Sequence, residues 1–249
     1  MILFVWLSVI LSGCSGTNKS DNANSKEIYE WRIYTLRENG AEVLDRFFKE
    51  TLIPAYNRQG VTAGAFKLYR GTDSIRYLLL VYPDIAKYLD VKHEIWNDRV
   101  FREASQSFYE QTASNPVYSE FETLLCEAFD KIPKMLKPDR ERTLFELRHY
   151  KSPNEEANQR KIKMFNVDEI AVFDKVGINS VCYGEVLSGA RMPSIIYLTW
   201  YRDESARNAV WGEFVKHPDW LRIRDMKEYA NTATDNKNRL LSPLSYSQF

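Results

Sequence analysis

Apolar and polar residues alternate with a period of two over 28–36, and the same alternation returns over 143–150; both stretches predict β-strands. Between and after them the period changes. Leu44, Phe47, Phe48, Leu52, Ala55 and Tyr56 fall at helical spacing, predicting an amphipathic helix over 40–58, with Pro54 expected to kink it and Gly60 to close it. Residues 61–70 and 75–82 read as a hairpin around Gly71-Thr72-Asp73, 84–111 as mostly helix, and 116–126 as a returning strand. The second half runs in the same order: strand 143–150, helix 155–175, Gly177, strands 178–187 and 194–201, helices over 203–230, and a last strand near 239–247.

The repetition extends to residue identities. Tyr29-Glu-Trp-Arg-Ile-Tyr34 matches Phe145-Glu-Leu-Arg-His-Tyr150. Ile53, Tyr56, Gly60 and Val61 match Ile170, Phe173, Gly177 and Ile178, and Tyr82-Pro-Asp84 matches Tyr201-Arg-Asp203. The separation drifts only from 116 (29 to 145) to 119 (82 to 201), as a duplication with loop indels produces. Strand-helix-strand-strand-helix-strand is the ferredoxin-like order. Each such unit leaves one sheet face bare, and two units bury both by meeting face to face. The expected fold is therefore α+β: tandem duplicated ferredoxin-like units, 28–126 and 143–249, packed sheet to sheet as an α+β barrel and joined by a linker over 127–142 that carries Pro133 and Pro138.

The first residues carry a different signal. Ile2–Leu11 is apolar apart from Ser8, too short to span a bilayer but of the length of a signal-peptide core. Leu11-Ser-Gly-Cys14 resembles a bacterial lipobox, although no Lys or Arg precedes it. We therefore expect a signal peptide over 1–13, lipidation at Cys14, and a polar tether over 14–27. The expected location is a bacterial cell envelope, with the chain anchored to a membrane and facing the exported side.

Charge narrows the functions. Lys+Arg and Asp+Glu both number 34, so no basic surplus points to nucleic acid. Aromatic residues make up 14% of the chain, which suits either a filled core or an aromatic-lined pocket. Cys126 and Cys182 lie in strand-like stretches and read as small buried hydrophobes rather than a disulfide.

The Glu-x-Arg-x-Tyr strands, Trp211-Gly-Glu-Phe214, His217-Pro-Asp-Trp220 and the closing Leu241-Ser-Pro243 with Tyr246-Ser247 together resemble the NIPSNAP family, whose members adopt the dimeric α+β barrel fold. The resemblance covers most of 28–249 and is strongest over 143–249. The first half departs from it, with His93-Glu-Ile-Trp96 in place of His217-Pro-Asp-Trp220 and no clear equivalent of Trp211. The family's activity is itself undefined. The wider superfamily holds cofactor-free monooxygenases, haem-handling enzymes and binding proteins. What carries over is the fold.

Candidate site residues are Glu30, Arg32 and Tyr34 with Glu146, Arg148 and Tyr150. Each set shares one face of its strand. The alternate faces, Tyr29-Trp31-Ile33 and Phe145-Leu147-His149, are the more apolar and are expected to meet the helices, leaving the polar sets to point into the barrel. There they would bind a small molecule or pair with one another. His93 with Trp96 and His217 with Trp220 are candidate pocket-rim pairs, although His217-Pro218 also reads as a helix start. Three histidines with no metal-ligand spacing predict no metal site, and no cofactor is expected. The chain has no Gly-rich phosphate loop and no Gly-x-Ser-x-Gly elbow. The reading that emerges is a membrane-anchored protein holding a small molecule; a cofactor-independent monooxygenase and an envelope interaction module are the alternatives. The duplication predicts a monomer with an internal pseudo-dimer, or a homodimer.

Overall fold

Tight alternation over nine residues makes β1 (Ile28–Leu36), and the chain then turns at Asn39, which sits in the left-handed region (φ 63°). This is a computed structural model, and it describes residues 25–249; Cys14, the signal segment and most of the tether lie outside the described residues. The first half continues with α1 (Gly40–Phe47), α2 (Ile53–Arg58), β2 (Thr62–Leu68), β3 (Ile75–Tyr82), α3 (Ile85–Glu94), α4 (Arg99–Ser114) and β4 (Tyr118–Ala128). The second half gives β5 (Leu144–Lys151), α5 (Glu155–Met164), α6 (Ile170–Val176), β6 (Asn179–Ser188), β7 (Ser194–Tyr201), α7 (Glu204–Phe214), α8 (Pro218–Arg224) and β8 (Asp235–Pro243). The last strand begins four residues earlier than the alternation suggested, and β4 runs two residues into the expected linker. Side-chain caps start the helices at Asp84, Asp98, Asn154 and Asp203, each accepting a backbone N–H three residues on.

All eight strands close into one barrel of antiparallel neighbours, in the order β1-β3-β2-β8-β5-β7-β6-β4. Within it the halves show the same ferredoxin-like arrangement: β4-β1-β3-β2, then β8-β5-β7-β6. The seams are β2 against β8 and β6 against β4, so each unit supplies one strand to each seam. Closure leaves no sheet edge exposed.

The predicted helices 40–58 and 155–175 are each interrupted by a π-helical turn, at Phe48–Leu52 and Phe165–Glu169. Pro54 stands in the first turn of α2, where its missing N–H costs least. It does not cause the irregularity, because the second half has Ala171 at that place and the same π turn. Gly60 and Gly177 follow the helices at φ 78° and 79°, as a left-handed helix exit requires.

The barrel interior is apolar. Tyr29, Trp31, Leu79, Leu124, Phe145, Leu147 and Leu198 pack there with Cys126 and Cys182, which are free buried thiols. This inverts the expected orientation of β1 and β5. The apolar faces of Tyr29-Trp31-Ile33 and Phe145-Leu147-His149 look inward, and Glu30-Arg32-Tyr34 and Glu146-Arg148-Tyr150 lie against the helices. The physical reason is partnership: the interior offers an Arg or Glu almost nothing to bond, whereas the helical layer and neighbouring strands supply Tyr56, Lys92 and Arg207. Both faces of the sheet are buried, so alternation alone does not say which one meets the helices.

Among the described residues, no helix is long and apolar enough to cross a membrane, and no three His, Cys, Asp or Glu side chains gather as a metal site.

Candidate functional site

Each unit encloses a cavity between its sheet and its helices. In the first half the floor is β1. Arg32 donates to both carboxylate oxygens of Glu30, at 2.9 and 3.0 Å, and to the Tyr56 hydroxyl at 2.6 Å. Tyr82 donates to Glu30 Oε2 at 2.7 Å, and Lys92 of α3 stands 3.8 Å from Oε1. Burial works to raise the Glu30 carboxyl, but Arg32, Tyr82 and Lys92 outweigh it and hold it below its ordinary value. The cavity above measures about 240 Å³. Its walls are aromatic: Phe47 stacks on Phe108 with centroids 3.8 Å apart, Tyr34 packs against Phe48 and Phe121, and Trp96 closes the rim at 53% exposure.

The second half repeats the floor with different furniture. Glu146 is fully buried. It accepts from Arg148 Nε at 2.9 Å and from Arg207 of α7 at 2.7 and 3.0 Å. Arg148 also donates to Tyr150 at 2.8 Å, whose hydroxyl lies 3.0 Å from that of Tyr197. The cavity here is about 390 Å³. Lys161 and Glu169 line it, ion-paired at 3.3 Å, both almost fully buried. Burial raises the Glu169 carboxyl, and Lys161 only partly opposes the effect. Counting 117 residues back places Leu44 and Leu52 at these positions, and both line the first cavity. The twin pockets have therefore diverged at these two positions, where the first presents leucines and the second a buried ion pair.

The two π turns serve these cavities directly. Phe48 and Leu52 line the first and Glu169 the second. A π turn carries one residue more per hydrogen-bonded ring than an α turn, and such turns recur at functional sites.

Of the residues singled out in the sequence, Arg32, Tyr34, Trp96, Arg148, Tyr150 and Trp220 line the two cavities. Glu30 and Glu146 lie behind them as the arginines' acceptors. His93 and His217 line neither. His93 is exposed in the last turn of α3, and His217 is the N-cap of α8, its Nδ1 accepting the Asp219 N–H at 3.2 Å. Asp98 holds the same capping position before α4, so Phe101, not Trp96, is the counterpart of Trp220. Sequence reasoning missed Lys161, Glu169, Arg207 and Trp211. A signal was available for the first two: charges at positions where the duplicated copy carries leucines.

Residues 145–248 match the family model NIPSNAP. The second half of the chain is thus similar to a NIPSNAP unit. Solved structures sharing the dimeric α+β barrel architecture include a Fusobacterium nucleatum protein provisionally described as a monooxygenase. It is 10% identical, with TM-score 0.57, over 89% of this chain and 94% of its own. A Lactobacillus acidophilus protein with the same provisional description is 11% identical, with TM-score 0.58, over 88% and 94%. An anthrone oxidase-like protein is 8% identical, with TM-score 0.57, over 89% and 92%. At these identities the likeness is one of fold. No curated protein sequence matches the chain.

Proposed function

We propose that this NIPSNAP-containing chain is a binding protein, tethered to a bacterial envelope membrane through Cys14. In this reading its sheet-helix cavities hold small, flat, largely apolar molecules that carry a polar acceptor. The observation that carries the reading is the state of the charges. Arg32 and Arg148 reach each cavity already oriented by Glu30 and Glu146, so they offer fixed donors and no free base. Aromatic walls supply shape and a few polar groups supply orientation, which is what a binding pocket needs. Native mass spectrometry of the protein released gently from its own envelope is expected to show a stoichiometric small-molecule adduct. Phe108→Trp, which fills the first cavity, should remove it. A clean apo mass for the unaltered protein would overturn the reading. For the anchor, Cys14→Ala should move the protein out of the membrane fraction; an unchanged fraction refutes lipidation there.

One observation favours an enzyme of the cofactor-independent monooxygenase type. Glu169 is a buried carboxyl with a raised pKa beside a cavity, the state a general base needs. Its ion pair with Lys161 weighs against it. Oxygen uptake with anthrone that disappears in Glu169→Gln would favour the enzyme over the binder.

A further inference from the structure

A third cavity, of about 280 Å³, opens at one end of the barrel and belongs to neither unit alone. Ile33 of β1, Leu147 of β5 and Ile196 of β7 line it, all of them side chains of the apolar interior. The other end of the barrel is filled: Phe249 packs on Phe66 and over Gly64, and Met135 of the linker packs against the interior with its N–H bonded to Glu27. The interior therefore has one mouth.

Basic groups line one arc of that mouth. Lys237 and Arg239 stand on β8 directly across from His149 and Leu147, on the face turned toward the cavity. Neither makes an ion pair among the described residues. Arg239 lies within hydrogen-bonding reach of the Tyr77 hydroxyl. Arg191 bridges to Asp235 at 2.5 Å, yet its Nε is buried with no hydrogen-bond partner. Arg191 also sits in the left-handed region at φ 65°, uncommon for a residue with a side chain. The acids near the mouth are Asp235, spent on Arg191, Glu122, and Glu120 opposite the cavity-lining Thr35, while Lys151 of β5 stands opposite Asp235. Four cations (Lys151, Arg191, Lys237 and Arg239) against three carboxylates leave one positive charge above an apolar shaft.

We propose that this mouth is a binding site for a small organic monocarboxylate, its apolar body inserted between Ile33, Leu147 and Ile196 and its carboxylate held by Lys237, Arg239 and the free Nε of Arg191. Two features select the class. A single surplus positive charge matches a monoanion better than a phosphate dianion. The apolar depth discriminates against small hydrophilic anions. The site depends on the junction of the two units and is separate from the sheet-helix cavities.

The test uses the full-length protein in detergent and fluorine-detected NMR with 4-fluorophenylacetate as the probe. The expected result is saturable line broadening, weakened at least tenfold by the double substitution Lys237→Glu/Arg239→Glu. Both side chains are exposed, so the fold should persist, and far-UV circular dichroism checks it. The cation 4-fluorophenethylammonium, of similar size, should bind at least tenfold more weakly to the unaltered protein. A second variant, Ile196→Phe, narrows the shaft without touching a charge and should also weaken the probe. The proposal is overturned if the probe does not bind, if the charge reversal leaves its affinity unchanged, or if the cation binds equally well.

Discussion

Arg148 sits over the Trp211 ring, its guanidinium carbon 3.6 Å from the ring centroid, while its Nε donates to Glu146. The indole in turn donates its N–H to the Tyr201 hydroxyl at 2.8 Å. Trp211 thus supplies a π face to the cation and a hydrogen-bond donor. Trp211→Phe keeps the face and drops the donor, with an expected cost of about 1 kcal/mol. Trp211→Leu loses both, and a further ~0.5–2 kcal/mol should follow. Urea denaturation of the two variants separates the contributions, and equal destabilisation would show that the stacked geometry adds nothing.

The Lys161–Glu169 pair makes a sharper prediction. Removing one partner leaves the other charge buried and unpaired, so Glu169→Leu alone should cost about 3–5 kcal/mol. Replacing both by leucine reproduces the chemistry of Leu44 and Leu52 in the first cavity and should return most of that loss. If the double substitution is as unstable as the single, the pair contributes more than mutual neutralisation.

His149 gives the protein a pH signature. Burial comes first, reinforced by Arg191 and Lys237 and opposed by Asp235, and together they push its imidazole down to about 4. The unfolded chain titrates near 6.5. Between those values the unfolded state binds more protons than the folded one, so stability is full above about pH 6.5. It then falls with acid, by up to about 1.4 kcal/mol per pH unit, and levels off below about 4. Stability curves measured from pH 7 to 4 should lose this slope in His149→Gln. A slope that survives the substitution would have to come from other groups.

Gly64 is predicted to tolerate no side chain. A Cβ there would stand 2.4 Å from the Phe249 ring, which occupies the barrel beside it. Gly64→Ala should destabilise by about 1–3 kcal/mol. Combining it with Phe249→Ala should cost less than the two changes summed, because the second removes what the first strikes. Simple additivity in thermal melts would place the conflict elsewhere.

Element order, the repeated pairing of the halves and the Glu-Arg-Tyr strands were legible because period and duplication are local properties. The side of the sheet on which Arg32 and Arg148 lie was not. In a barrel wrapped by helices both faces of β1 are dry, and Tyr29-Trp31-Ile33 reads much like the apolar side chains that meet helices in any layered protein. What decides the matter is the location of bonding partners, and Tyr56 and Arg207 are remote in sequence from the arginine and glutamate they satisfy. The π turns were equally hidden, since shifting one hydrogen-bond register leaves the apolar spacing almost untouched. His217 was half legible: its Pro218 neighbour announced a helix start, and capping is the role it fills.

The seams between β2 and β8 and between β6 and β4 have a consequence for heredity. Two identical subunits meeting across such seams inherit every substitution twice, so a lysine that suits one pocket is forced into the other. Joining the units in one chain lifts that constraint. Leucines can persist at 44 and 52 while Lys161 and Glu169 arise opposite them, and the two chambers always arrive together in equal number. A barrel mouth with basic residues on one arc is possible for the same reason: the chain has a left and a right.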